Sequence, residues 1–143
     1  MRISLREVTE NDLELIMAWR NLPQVFQGTY SQKEPLTWEE HFNWHKTRYN
    51  WQRWIIQVND GQTTRDVGIV NISQLDCWYP QIGYLIGEVT LWGKGVAPQA
   101  VQLALDWLRE NGYIRCWTTV KKDNPASIRV LEKCEFKQKG EGR

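Results

Sequence analysis

Two glycines bracket a lysine in the stretch LWGKGVAPQA, Leu91 to Ala100, and a proline follows shortly after the second glycine. Glycine lets main-chain N–H groups turn toward a ligand with no Cβ in the way. A helix start leaves its first N–H groups without intrahelical partners, and its dipole places roughly +0.5 elementary charge there. Side by side, these features make an anion site, with phosphate as the natural occupant. Pro98 suits a first helical turn, where a missing donor costs little. Taken alone, Gly-x-Gly also describes an ordinary strand-to-helix turn.

Other chemistry-bearing residues are sparser. His41 and His45 stand four apart, a spacing that can hold a metal on one helix face. No third ligand accompanies them, so a solvated face is the simpler reading and no metal is expected. Lys121 and Lys122 can reach a phosphate, or can serve solubility. Cys77, Cys116 and Cys134 are odd in number and form no CxxC pair, which reads as free thiols in a reducing compartment.

The elements that must position these residues follow from periodicity. Ile3 to Val8 alternates like a half-buried strand, and Leu13, Ile16, Met17 and Arg20 carry a helical period that Pro23 ends or bends. Gly28 to Pro35 reads as a loop. Thr37-Trp38-Glu39-Glu40 is a capping box, which predicts a helix to about Asn50. Trp54 to Val58 and Val67 to Ile72 make a hairpin around Asn59-Asp60-Gly61, and Ile82 to Ile86 is a further strand. Ala97 to Glu110 repeats apolar residues at helical spacing and stops at Asn111-Gly112. Ile114 to Val120 reads as a strand, Asn124-Pro125 opens a helix through Cys134, and Phe136 begins a short last extended piece. The order predicts one α/β (α+β) domain over residues 1–143, with a mixed sheet flanked by about four helices.

The bulk numbers narrow the function. Lys+Arg 18 against Asp+Glu 17 gives +1, which argues against a protein built to grip nucleic acid or an anionic membrane. The amino terminus meets charge at once and no apolar run approaches a membrane span, so a cytoplasmic protein is expected. Nine tryptophans suit both a core and a pocket for a flat or sugar-like ligand.

The segment IGYLIGEVTLWGKGVAPQAVQLALDWL resembles the acetyl-CoA motif of the GNAT N-acetyltransferases, whose loop reads Gln/Arg-x-x-Gly-x-Gly/Ala. Those positions fall on Trp92, Gly95 and Ala97, with Trp92 departing from Gln/Arg. Trp-Gly-Lys-Gly is similar to the ribosomal-protein N-terminal acetyltransferase branch. A second block, DNPASIRVLEKCEF, resembles the family's Asn-x-x-Ser segment. The resemblance implies acetyl-CoA as co-substrate, held at Trp92, Gly93, Lys94, Gly95, Val96 and Ala97, at Asn124 and Ser127, and along the splayed strand at Tyr84, Leu85 and Ile86. Ser127 matches a serine that approaches the CoA sulfur, and Glu135 replaces a usual glycine.

The amino-terminal half is similar to amino-sugar-nucleotide N-acetyltransferases at Trp19, Arg20, Asn21, Val25, Glu39, Glu40, His41 and Trp44. The resemblance puts Trp19, Arg20, Asn21, His41 and Trp44 on the acceptor side, where Arg20 would meet a phosphate bidentately and tryptophans would stack. The plainer reading packs Trp19 in the core and pairs Arg20 with a neighbour. The family's usual glutamate and tyrosine positions carry Thr119 and Leu131. Ser127 is then the candidate acid, with Glu88 or His41 as base. The expected partner is a small-molecule amine, first an amino-sugar nucleotide, with a homodimer left open. A protein N-terminus as acceptor, or a catalytically silent CoA-binding module, are the alternatives.

Overall fold

The computed structural model describes residues 1–27, 32–47, 50–121 and 124–137. Four strands form one sheet in the order β1 (Arg2–Glu7), β2 (Gln52–Asn59), β3 (Thr64–Ser73) and β4 (Gln81–Ile86), each antiparallel to its neighbour. Among the described residues five helices accompany it: α1 (Leu13–Arg20), α2 (Pro23–Phe26), α3 (Trp38–Lys46), α4 (Val96–Glu110) and α5 (Pro125–Lys133). Short 3-10 turns precede α1 at Glu10–Asp12 and follow β4 at Val89–Leu91.

Register explains how the sheet divides two cores. Ile3 pairs with Val58 and Leu5 with Ile56, while Val70 pairs with Tyr84 and Ile72 with Ile82. Side chains alternate across a strand, so Trp54, Ile56 and Val58 share one face and Ile55 takes the other. The first face meets α4 through Val96, Ala97, Ala100, Val101, Ala104 and Leu108. These positions recur every three or four residues, and the small alanines let the helix settle close to the sheet. On the second face Ile55 and Ile69 pack with Ile16 and Trp19 of α1. Both faces of β2 are therefore covered, and Trp54, Ile55 and Ile56 are buried in succession.

The turn after β4 is locked from the α1 side. A Cβ on Gly87 would collide with the Trp19 ring, so the indole occupies the space a side chain would need.

Local chemistry sets the helix ends. Thr37 Oγ1 accepts from Glu40 N at 3.2 Å and Glu40 Oε1 accepts from Thr37 N at 3.0 Å, the reciprocal box that opens α3. α3 stops at Lys46, short of the expected Asn50; Arg48 and Tyr49 lie outside the described residues. α1 ends at Arg20, and Pro23 opens α2 as its first residue, where its fixed φ is already helical.

One expectation needs correction. Residues 114–120 form no strand, and the only ladder contact described there is a parallel bridge from Trp117 to Gln81. Ile82 N donates to Trp117 O at 2.9 Å and Trp117 N to Pro80 O at 3.0 Å. The expected mixed sheet is thus four antiparallel strands with one parallel bridge, because the segment is bridged to β4 only at Trp117. Phe136 and Lys137 are not strand, and the remainder of the expected last piece lies outside the described residues. No helix among the described residues is long and apolar enough to cross a membrane.

Candidate active site

Past Trp117 the outer edge of β4 has no further ladder partner among the described residues. Main-chain N–H and C=O groups of one residue point to the same side of a strand, and every second residue repeats that side. Ile82 bonds outward to Trp117, and Ile86 O accepts from the Trp92 indole Nε1 at 2.9 Å. The Tyr84 and Ile86 amides therefore face outward as well, away from β3, beyond the point where the parallel bridge ends.

A cleft of about 500 Å³ lies there, lined by Tyr84, Leu85 and Ile86 of β4, Trp92, Gly93, Gly95, Val96 and Ala97 of the loop and α4, and Asn124 and Ser127 of α5. Two segments far apart in the chain are thus brought to one place. Lys94 is exposed and is not among the lining residues; its N–H donates to Leu91 O at 3.2 Å.

The loop owes its shape to glycine. Gly93 and Gly95 have φ of 79° and 84°, the left-handed region that other residues rarely adopt. Gly95 is the N-cap of α4, and Gln99 Nε2 donates to its carbonyl at 3.1 Å. The amides of Val96 and Ala97 fall in the first turn, where no intrahelical acceptor exists. Pro98 comes next and forfeits nothing there. The arrangement can hold an anion, and Arg129 and Lys133, one helical turn apart on α5, line the same cleft.

α5 carries the other half. Asn124 Oδ1 accepts from Ser127 N at 3.2 Å, an N-cap that fixes the first turn, with Pro125 as its first residue. Tyr84 Oη donates to Ser127 Oγ at 3.0 Å. Burial pushes the Tyr84 phenol above its usual 10, against the opposing effect of that hydrogen bond. Glu88 lies outside the lining, and its Oε1 accepts from Arg65 Nη1 at 3.0 Å.

The residues expected on the acceptor side form a separate cluster between α1 and α3. His41 is fully buried; its Nε2 donates to Leu13 O at 2.8 Å and its Nδ1 accepts from Arg20 Nη1 at 3.0 Å. Burial first, then the Arg20 charge, lowers its pKa from 6.5 to about 4, so the ring is neutral. Trp44 stacks on it at 5.5 Å, and the Arg20 guanidinium sits 4.3 Å from the Trp44 ring. Asn21 Oδ1 accepts from Leu36 N at 2.6 Å and its Nδ2 donates to Leu36 O at 3.1 Å. Trp19 is buried. None of the five lines the cleft. His45 Nδ1 accepts from Arg53 Nη2 at 2.7 Å, and the described residues hold no group of three metal-ligating side chains. Lys121 Nζ donates to Gln27 O at 3.2 Å, while Lys122 lies outside the described residues.

A family model, the acetyltransferase (GNAT) domain, matches residues 2–137. The chain belongs to the GNAT acetyltransferase family. A domain from Methanocaldococcus jannaschii has the same GNAT fold at a TM-score of 0.96, with 45% identity, covering 99% of this chain and 92% of that one. MJ1062 of the same organism is 45% identical over 142 residues, 99% of this chain. The chain spans 29% of the length of that curated relative. A spermidine N-acetyltransferase from Vibrio cholerae, in complex with CoA and spermine, matches with a TM-score of 0.77 and 19% identity, covering 96% and 82%. An aminoglycoside acetyltransferase with ribostamycin and coenzyme A matches at 0.83 and 18%, covering 98% and 86%. These last two likenesses carry the fold alone.

Several residues lining the GNAT cleft escaped the sequence reading. Gln24, Val25 and Gln27 reach it from α2 and its end, and Ala126, Arg129, Val130 and Lys133 from α5. The α5 group had a signal: the four stand at i, i+3, i+4 and i+7, one face of a helix. In the α2 group Val25 had a signal in the resemblance to amino-sugar-nucleotide N-acetyltransferases, though not one that placed it in the cleft; Gln24 and Gln27 had none, because a short helix on a different part of the chain reaches the cleft only through tertiary packing.

Proposed function

We propose that this chain is an acetyl-CoA-dependent N-acetyltransferase whose acceptor is the primary amine of a small molecule, with an amino-sugar nucleotide as first candidate. Residues 1–143 are read as one such domain. The observation that carries the reading is the left-handed Gly95 capping α4 in the same cleft as Ser127. The donor set fits the co-substrate: first-turn amides of Val96 and Ala97 for the diphosphate, with Arg129 and Lys133 nearby. Acetyl-CoA supplies the activated acyl group.

The chain's own residues then position and polarise. The outward amides of Tyr84 and Ile86 are the donors available to a carbonyl oxygen that gains charge during attack. Ser127 is the hydroxyl available to the departing sulfur. An alkylamine of pKa about 10.4 must lose a proton before it attacks, and water at the open mouth of the cleft serves as its carrier.

Charge supports the acceptor class. Among the described residues the cleft lining includes Arg129 and Lys133 and no carboxylate. Spermine and ribostamycin, bound by the two distant structural neighbours, are polycations at neutral pH, and such acceptors gain from acidic walls. With Arg129 and Lys133 committed to the diphosphate, the rest of the described lining is neutral and offers a polycation no acidic wall. A thioester donor and three cysteines outside any CxxC pair agree with a cytoplasmic setting.

One observation favours a second reading. Thr119 and Leu131 stand where the family's usual base and acid fall, and Leu131 is buried. A catalytically silent CoA-binding module has the same cleft. Calorimetry with acetyl-CoA, followed by thiol release over nucleotide amino sugars, polyamines and peptides, separates the cases. We expect binding, and turnover with a nucleotide amino sugar. Turnover on spermine or a peptide instead overturns the acceptor, binding with no turnover favours the silent module, and no binding overturns the reading.

A further inference from the structure

We propose that Tyr84 acts through Ser127 as a proton relay, holding the serine hydroxyl so that its own hydrogen is directed into the cleft. The inference rests on the acetyl-CoA reading above and deepens it. Its basis is a contact between residues 43 positions apart: Tyr84 Oη and Ser127 Oγ are 3.0 Å apart, and both line the cleft.

The direction of that hydrogen bond decides the chemistry. A phenol is a stronger acid than an alcohol, so the phenol donates and the serine oxygen accepts. A serine hydroxyl carries a single hydrogen. With Tyr84 filling one lone pair, that hydrogen is free to point away from the tyrosine. The serine main chain is pinned by the Asn124 cap at 3.2 Å, so the hydroxyl is offered from a fixed first turn. Burial of the phenol, which keeps it protonated at neutral pH, agrees with a donor role. Tyr84 is also tied to the sheet, since Val70 pairs with it in β3. Both ends of the relay therefore stand on regular elements rather than on the loop.

The step balances. When the carbon–sulfur bond breaks, the sulfur keeps the electron pair and takes the Ser127 proton. Ser127 Oγ recovers a proton from Tyr84. The tyrosinate is neutralised by the proton that the acetylated nitrogen releases, carried through solvent. Tyr84 is a positioning residue in this scheme, and Ser127 is the group that touches the sulfur. The scheme also accounts for a cleft that works with Leu131 at the family's usual tyrosine position.

Free CoA is the probe that tests it without any acceptor. The thiol of bound CoA is titrated by the ultraviolet absorbance of its thiolate, with the protein's own cysteines subtracted from a CoA-free titration. A hydroxyl directed at sulfur stabilises the thiolate, so the wild-type complex should titrate about one pH unit below free CoA. Tyr84→Phe, which keeps the ring and removes only the oxygen, should return most of that shift in a complex that still forms, loading being checked by calorimetry at saturating CoA. Ser127→Ala should return all of it, and the double variant should match Ser127→Ala, because a residue acting through another adds nothing once that other is gone. Equal thiol titration in wild type and Tyr84→Phe, with CoA bound to both, overturns the relay and leaves the acetyltransferase reading intact. Additive effects in the double variant overturn it too. Failure of the wild type to bind CoA overturns both.

Discussion

Trp92 and His41 show how far residue type alone can be trusted. Trp92 departs from the family's Gln/Arg, yet its indole ties the loop to the end of β4 through Ile86 O. Trp92→Phe keeps the ring and deletes that donor. It should cost about 1 kcal/mol of stability by urea denaturation and weaken CoA binding several-fold by calorimetry, because the loop loses its tether. His41 sits in a polar run that reads as a solvated helix face, and it is fully buried. No periodicity could reveal this, since the ring is claimed by Leu13 O and Arg20 from another helix. The consequence is a pH response. The folded pKa of about 4 lies below the ordinary 6.5, so between those values the unfolded chain binds a proton that the folded chain refuses. Stability should therefore be flat above pH 6.5 and fall as pH drops toward 4, by up to roughly 3 kcal/mol from this group. Urea midpoints at pH 7.5 and 5 check the sign; His41→Gln should be less stable at pH 7.5 and show a flatter acid response.

The elements were legible where one pattern dominates. α4 announced itself through small and apolar residues at helical spacing with a glycine before and Asn111-Gly112 after, and it runs from Val96 to Glu110. Residues 114–120 alternate like a strand, but Ile114 is 91% exposed and only Trp117 bridges to a neighbour. Alternation predicts a ladder only where a partner continues alongside, and a partner cannot be read from one segment. The loop was legible from its glycines, whereas the Tyr84–Ser127 contact was hidden, being created by the crossing of β4 and α5. Two substitutions at the α4 cap separate backbone geometry from ligand charge. Gly95→Ala must hold φ near 84° against its Cβ, costing about 1–2 kcal/mol. Gly95→Asp should destabilise no more, because aspartate tolerates that conformation better. Calorimetry should nevertheless find CoA binding weakened far more by aspartate than by alanine; equal loss in the two variants contradicts a diphosphate at this helix start.

At the scale of the whole molecule, the cleft gathers positive charge that the net charge of +1 conceals. Arg129 and Lys133 are exposed, so salt should screen them. CoA affinity should drop several-fold when salt rises from about 0.05 to about 0.5 M, and the Arg129→Ala/Lys133→Ala variant should bind more weakly at low salt with a flatter salt response. An equally steep response in that variant removes the two side chains from the phosphate site. Trp19 links this half of the molecule to the other, since its indole fills the place where Gly87 lacks a side chain. Randomising α1 would therefore disturb the turn after β4, next to the cleft-lining Ile86, with every change at Trp19. Libraries that spare Trp19 and Gly87 as a joined pair, and vary Gln24 and Gln27 instead, are the ones that should retain a working scaffold.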